Sequence, residues 1–197
     1  MSLELIIGPM FSGKSTELLR RLNISAEMNL RVLYVNSSLD VRTKESFSTH
    51  NPTLTSVGKI KARKIKTLAE CDPEDFDVLG VDEAQFIPGL KQEVIRFVED
   101  HSKHVILAGL DGDFNRCRFG EVLDLIPLCD TIDKLAPFCV PCWENSKLST
   151  KALFSQRTVS GKDQVQVGAG NIYRPVCRRC YLKSSSENEN LLLKNTS

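Results

Sequence analysis

Short apolar runs alternate with segments of helical periodicity along the first half of the chain. Four of these runs have the length of buried strands: Leu3–Ile7, Arg31–Val35, Phe76–Val81 and Val105–Leu110. Ser15–Glu27 instead carries apolar residues at helical spacing, and a second helix is predicted around Lys91–Asp100. Strands that alternate with helices in this way predict an α/β fold with a parallel sheet and helices on both of its faces.

The chain changes character at two places outside this pattern. Asn36–Gly58 is mostly polar and predicts a long loop after the second strand. Near Ala136, paired cysteines and glycine-containing polar segments begin. We therefore expect two domains, 1–135 and 136–183, followed by a polar tail over 184–197 that is predicted to be disordered.

Composition narrows the class of protein. The 197 residues include 26 Lys+Arg and 25 Asp+Glu, a formal net charge of +1, so the chain has no bulk electrostatic attraction to nucleic acid or to a membrane. The sequence starts in a strand-like run without a basic-then-apolar leader, and no apolar stretch approaches the roughly 18 residues of a membrane span. We expect a cytoplasmic protein with reduced cysteines, and with neither nucleic acid nor membrane as a partner.

The turn after the first predicted strand has the sequence of a phosphate-binding loop. It fits G-x-x-x-x-G-K-[ST] at every defined position, through Gly8, Pro9, Met10, Phe11, Ser12, Gly13, Lys14 and Ser15. Backbone N–H groups of such a loop surround phosphate oxygens, and the following helix directs the positive end of its dipole at them. Lys14 is expected to reach the β- and γ-phosphates, and Ser15 is expected to ligate Mg²⁺. The motif predicts a P-loop NTPase-like sheet.

Two adjacent carboxylates end the third predicted strand, where the apolar run stops at Asp82-Glu83. In P-loop proteins an Asp at this place holds Mg²⁺, usually through water, and an adjacent Glu can take a proton from the attacking nucleophile. That nucleophile is water in an ATPase and a substrate hydroxyl in a kinase, and the pair alone leaves both reactions open. Alternatively, the two carboxylates have no catalytic role and only form a solvated acidic end to the strand.

Four of the seven cysteines form two C-x-x-C pairs. Cys139 and Cys142 make the first pair, and Cys177 and Cys180 make the second. Each pair can supply two thiolates to one tetrahedral Zn²⁺, and residues 143–176 would then form a loop closed by the metal. A redox C-x-x-C normally stands singly beside a strand and a helix, so a structural zinc is favoured. Ordinary buried or half-buried thiols are expected at the remaining positions, Cys71, Cys117 and Cys129.

Several motifs, in order along the chain, resemble those of one family. They are Gly8–Thr16, Asp40-x-Arg42, Thr49-His50, Asp82–Phe86, Leu110–Phe114, Phe119-Gly120 and Tyr173–Tyr181. The family is the cellular and large-DNA-virus type of thymidine kinase, a zinc-containing P-loop family with a lasso loop. The resemblance covers about residues 3–183. It implies transfer of the γ-phosphate of ATP to the 5′-hydroxyl of thymidine in nucleotide salvage, by a homotetramer.

The resemblance also implies roles for individual residues. Glu83 matches the general base that takes the proton of the 5′-hydroxyl, and Asp82 and Ser15 match the magnesium site. The ATP site gains three residues besides the phosphate loop: Asp40, Arg42 and Gln85. The matching substrate pocket consists of Met10, Phe86, Leu110, Phe114, Phe119, Ser155, Val165, Gln166, Val167, Gly168 and Tyr173. Because an apolar pocket gains only ~1–3 kcal/mol from one methyl group, deoxyuridine is an expected second substrate.

The chain departs from the family pattern at four places, one of which is a residue missing just before Gly168. Asn171 stands where the family usually has an acid, and Asp113 replaces a small residue. Trp143–Thr150 resembles an insertion, so the match of Ser155 depends on where the gap is placed.

Two rival functions are a P-loop ATPase that binds nucleic acid through a zinc ribbon, and an inactive homologue. Balanced charge without a basic stripe disfavours the first, and the complete phosphate loop with both carboxylates disfavours the second.

Overall fold

The computed structural model describes residues 1–38, 60–159 and 172–184. Its strands are β1 (Ser2–Gly8), β2 (Val32–Ser37), β3 (Ile60–Ile65), β4 (Val78–Asp82), β5 (His104–Leu110), β6 (Thr131–Lys134), β7 (Phe154–Arg157) and β8 (Tyr173–Val176). Its helices are α1 (Lys14–Glu27), α2 (Leu90–Ile95, continued by a π-helical stretch over Arg96–Asp100) and α3 (Val140–Ser146). Residues 178–184 are also helical. Short 3₁₀ turns occupy Leu68–Glu70, Pro73–Asp75, Ala84–Phe86 and Val122–Leu128.

The first six strands form one parallel sheet in the order β3-β2-β4-β5-β1-β6, so the predicted α/β fold is confirmed. The register places Gly8 opposite Leu110 and Asn36 opposite Asp82. The ends of β1, β2, β4 and β5 therefore meet at the carboxyl edge of the sheet. Open α/β sheets bind their ligands outside this edge, and the predicted phosphate loop and carboxylate pair both lie there.

Helices cover both faces of the sheet. One face packs against α1, in a cluster that includes Leu18, Leu19, Leu22, Ile6, Tyr34, Val78 and Ile106. The other face packs against α2 and its π-helical continuation, in a cluster that includes Leu3, Leu5, Val35, Leu79, Leu107, Leu90, Val94 and Phe97. Central strands are buried on both faces, so their sequences are continuous apolar runs. The hydrophobic pattern therefore predicted where these strands lie in the sequence.

The two edge strands were not predicted from the pattern. β3 reads Ile-Lys-Ala-Arg-Lys-Ile, and all four residues of β6 are exposed. Charged and exposed residues are typical of sheet edges, where they also discourage pairing with other chains. β2 continues through Asn36 and Ser37, the first two residues of the predicted polar loop, and both are fully buried. Residues 39–58 of that loop, and the tail from 185 onward, lie outside the described residues.

The region from 136 onward has its own small core. β7 and β8 form an antiparallel pair, and Cys139, Cys142, Ala152, Val176 and Cys177 form a separate buried cluster. The division at residue 136 stays a prediction, although the parallel sheet ends just before it, at Lys134. Across the described ranges, no helix combines the length and the apolar character needed to cross a membrane.

Candidate active site

The loop between β1 and α1 carries the phosphate-loop sequence. Gly8 has φ +147°, and a Cβ there would lie 2.3 Å from the carbonyl oxygen of Leu135, so only glycine fits. Lys14 is the first residue of α1, and its buried Nζ donates to the carbonyl oxygen of Pro9 at 2.9 Å. A lysine ammonium and the N-terminus of a 14-residue helix thus lie together at the carboxyl edge, an arrangement that binds phosphate.

Asp82 ends β4 and is fully buried beside this loop. Its Oδ1 accepts hydrogen bonds from Ser15 Oγ at 3.1 Å and from the Glu83 N–H at 2.9 Å, and its Oδ2 accepts one from the Tyr34 hydroxyl at 2.8 Å. Burial raises the pKa of Asp82 to about 6, and the negative charge of Glu83 adds to the shift. A cation would stabilise such a carboxylate pair. The oxygen donors of Asp82 and Ser15 are the type that Mg²⁺ prefers, so the donor set fits magnesium.

Glu83 follows in a backbone conformation that non-glycine residues rarely adopt, with φ +49°. Its Oε2 accepts a 2.5 Å hydrogen bond from Nε2 of Gln85, and Oε1 of Gln85 accepts one from the Leu110 N–H at 3.0 Å. Gln85 is only 4% exposed, and it joins the end of β4 to the end of β5. Its expected ATP-binding role stays a prediction, and its contacts support a role in orienting Glu83.

The aromatic residues expected in the substrate pocket form two contacting pairs. Phe86 and Phe119 meet edge to face, with ring centroids 5.2 Å apart, and Phe114 lies 6.4 Å from Tyr173. The Arg157 guanidinium lies over the Phe114 ring at 4.3 Å and over the Tyr173 ring at 5.6 Å. Cation–π contacts of this kind hold aromatic rings in place. The second pair therefore connects the loop after β5 to the β7–β8 hairpin.

Hydrogen bonds connect residues after position 136 to the loops at the carboxyl edge of the parallel sheet. Ser155 of β7 is buried, and its Oγ accepts a hydrogen bond from the Met10 N–H in the phosphate loop at 2.9 Å. The Tyr181 hydroxyl donates to the carbonyl oxygen of Phe114 at 2.8 Å. Ser155 thus contacts Met10 of the phosphate loop, and Tyr181 contacts Phe114 of the loop after β5.

The four paired cysteines converge on one point. The Sγ atoms of Cys139, Cys142, Cys177 and Cys180 all lie within 4.8 Å of one another. Cys142 Sγ is 3.8 Å from Cys177 Sγ and 3.7 Å from Cys180 Sγ. Four thiolates about 2.3 Å from a tetrahedral Zn²⁺ would be about 3.8 Å apart, so the cluster is compatible with zinc in donor type and spacing.

Comparison with known proteins agrees with this geometry. A family model described as thymidine kinase matches residues 1–181. The chain belongs to the thymidine kinase family. The cytosolic thymidine kinase of Cricetulus griseus is 35% identical over 187 residues, which cover 93% of this chain and 74% of that protein. The thymidine kinase of Vaccinia virus (strain Western Reserve) is 36% identical over 185 residues, which cover 92% of this chain and 97% of the viral protein. Human cytosolic thymidine kinase is 34% identical over 187 residues.

Membership of the thymidine kinase family decides between the two reactions that the carboxylate pair left open. Thymidine kinases are ATP-dependent nucleoside kinases, so the acceptor of the phosphate is a nucleoside hydroxyl rather than water. The resemblance inferred from the sequence motifs is therefore confirmed. Several expected site residues lie outside the described residues: Asp40, Arg42, Val165, Gln166, Val167 and Gly168. Their roles stay predictions, as does the effect of Asn171.

One expectation about the remaining cysteines is wrong. Cys71 is buried and Cys129 is half-buried, as expected, but Cys117 is exposed. The reason lies with Asp113, whose Oδ1 accepts hydrogen bonds from the N–H groups of Asn115 and Cys117 at 2.9 and 2.8 Å. A carboxylate that accepts from following N–H groups closes a turn, and here the turn leaves the thiol exposed. Asp113 thus organises the loop that carries two expected pocket residues.

The sequence pattern does not identify Tyr34 as a residue of the site. Tyr34 lies in the apolar run of the second predicted strand, and this position indicates only a buried strand residue. Its hydroxyl was the signal that could have been used, since a buried tyrosine hydroxyl needs a hydrogen-bond partner. Nothing in the sequence indicated that the partner would be Asp82.

Proposed function

We propose that this protein transfers the γ-phosphate of ATP to the 5′-hydroxyl of thymidine, giving thymidine monophosphate, with deoxyuridine as a second substrate. One observation carries the proposal. The phosphate loop, the Asp82-Glu83 pair and the contacting aromatic residues occupy the same carboxyl edge, in a chain of the thymidine kinase family. Phosphate donor and nucleoside acceptor can therefore bind side by side.

The phosphate half of the site would act by positioning and charge neutralisation. Backbone N–H groups of Gly8–Ser15 and the Lys14 ammonium would hold the β- and γ-phosphates. Ser15 and Asp82 would hold Mg²⁺, which neutralises phosphate charge when it is bound. Asp40 and Arg42 would complete the ATP site. Little covalent chemistry is required of the protein, because most of the rate comes from alignment and electrostatics.

Glu83 would act as the general base. It is the partly exposed carboxylate at the strand end, whereas Asp82 is fully buried and engaged on both oxygens. The Gln85 amide at 2.5 Å orients the Glu83 side chain without reaching solvent itself. A carboxylate held in this way can accept the proton of the 5′-hydroxyl as the oxygen attacks phosphorus.

The nucleoside would lie in a pocket between the two regions of the chain. Its expected lining consists of Met10, Phe86, Leu110, Phe114, Phe119, Ser155 and Tyr173. The segment Val165–Gly168 would lay backbone groups along the base. Structural zinc at the four cysteines would hold both ends of residues 143–176, so that domain 136–183 presents its pocket residues to domain 1–135. We further propose a cytoplasmic homotetramer that binds neither nucleic acid nor membrane.

A nucleoside screen tests the proposal. ATP consumption is measured with each natural nucleoside and with none, and zinc content is measured on the same sample. We expect thymidine to give the highest rate, deoxyuridine the next, and zinc at about one atom per chain. A Lys14→Met sample controls for contaminating kinases, since it should lose the thymidine-dependent rate. ATP hydrolysis that is independent of any nucleoside would instead identify an ATPase.

A further inference from the structure

We propose that Tyr34 is a positioning residue for the magnesium–nucleotide site: its hydroxyl holds one oxygen of Asp82, so that the other faces Ser15. The inference rests on the proposed function, because it assigns Asp82 and Ser15 to the magnesium ion. Tyr34 belongs to neither the phosphate loop nor the strand-end pair, and it would act on the site through Asp82.

The register of the sheet explains how Tyr34 reaches the carboxylate. β2 and β4 are neighbours, and Tyr34 lies opposite Gly80, two residues before Asp82. Side chains two residues apart on a strand share a face. Tyr34 packs in the cluster beneath α1, on the face from which Ser15 also approaches Asp82. A tyrosine ring that extends along the strand from this position places its hydroxyl at the strand end.

The hydrogen bonds divide the two oxygens of Asp82 between different partners. Oδ2 accepts from the Tyr34 hydroxyl at 2.8 Å, whereas Oδ1 accepts from the Ser15 hydroxyl at 3.1 Å and from the Glu83 N–H at 2.9 Å. The terminal torsion of an aspartate is broad, so packing alone does not decide which oxygen faces the metal side. A hydrogen bond to an ionised, buried carboxylate is among the stronger ones in proteins. Tyr34 therefore supplies a restraint on Oδ2, whereas Ser15 and the Glu83 N–H both act on Oδ1.

The substitution Tyr34→Phe isolates this restraint. Tyr34 is 0% exposed, and phenylalanine keeps its ring in the core while removing only the hydroxyl. We expect the affinity for ADP in the presence of Mg²⁺ to fall about tenfold, which is the effect of losing one hydrogen bond to a charged group. Affinity for ADP in EDTA should be unchanged, since the phosphate loop itself is not touched.

Calorimetric titration of ADP, with Mg²⁺ and with EDTA, gives the readout without requiring turnover. Tyr181→Phe is the matched control, because it removes a tyrosine hydroxyl that is bonded to Phe114 and not to Asp82. The Mg²⁺ dependence of ADP binding should stay as in the wild type in that variant. In an Asp82→Asn background, Tyr34→Phe should have no further effect on this dependence.

Four results would overturn the positioning role. Equal loss of ADP affinity with and without Mg²⁺ would indicate a structural role, and an unchanged affinity would indicate none. A Tyr34→Phe protein that does not fold, or a wild type whose ADP affinity is independent of Mg²⁺, would also exclude it. A wild type without thymidine-dependent ATP consumption would refute the proposed function alone, since ADP titration would still decide the role of Tyr34.

Discussion

Replacing Gly120 with alanine should disturb the candidate general base without touching it. Gly120 has φ +61°, and a Cβ there would lie 2.4 Å from the carbonyl oxygen of Gln85 and 3.0 Å from its Cα. These are backbone atoms, which cannot rotate away as the end of a flexible side chain can. Gln85 must therefore shift, and with it the amide that hydrogen-bonds Glu83 at 2.5 Å.

Gly89 provides the matched control. Its φ of +65° is nearly the same, but a Cβ at Gly89 would meet nothing within 4 Å. Both substitutions carry the strain of a left-handed alanine, about 1–2 kcal/mol. Gly120→Ala adds overpacking, typically about 1–3 kcal/mol, so its total loss of unfolding free energy should be roughly 2–5 kcal/mol. Displacing a catalytic group by about 1 Å can cost on the order of 100-fold, so kcat should fall about 10- to 100-fold in Gly120→Ala only.

Urea unfolding and steady-state kinetics check both parts of this prediction. Unfolding followed by circular dichroism gives the free energy of each variant, and kcat is measured at saturating ATP and thymidine. Gly89→Ala should stay within about twofold of the wild-type kcat. The reasoning fails if the two variants are equally destabilised, or if folded Gly120→Ala keeps the wild-type kcat.

Three further outcomes are expected. Glu83→Gln should lower kcat by roughly 10²–10⁴-fold while thymidine binding, measured by calorimetry, is retained; more than a tenth of the wild-type kcat would exclude a general-base role. Metal analysis should find zinc sharply reduced in Cys177→Ser but not in Cys117→Ser. Equal zinc loss in both variants would contradict the assignment of Cys177 as a zinc ligand. Removal of the zinc by chelation should raise KM for thymidine more than KM for ATP. Hydrogen bonds from Arg20 and then Arg21 lower the pKa of Glu17 from 4.5 to about 2, so this stabilisation is present above about pH 4.5 and is lost as pH falls through 2. Urea midpoints measured from pH 6 to pH 2 should fall less steeply in Glu17→Gln, and parallel curves would refute the linkage.

Local features of the chain could be predicted because their physical cause is local. The phosphate loop depends on glycines, a lysine and a serine at fixed spacing between a strand and a helix, and Asp82-Glu83 follows directly from the end of an apolar run. The paired cysteines depend on C-x-x-C spacing in the same way. The central strands could be predicted from the sequence because burial on both faces requires an unbroken apolar run.

Contacts between distant segments required the tertiary structure. The sequence does not say that the Ser155 hydroxyl accepts from the Met10 N–H, or that Gln85 joins Glu83 to Leu110. Such contacts depend on the order and register of the strands. These can bring residues together whatever their separation along the chain. The edge strands β3 and β6 escaped prediction for a related reason, since an exposed edge does not require an apolar pattern. Tyr34 combines both effects: its apolar surroundings predicted a buried strand residue, and only the pairing of β2 with β4 brought its hydroxyl to Asp82.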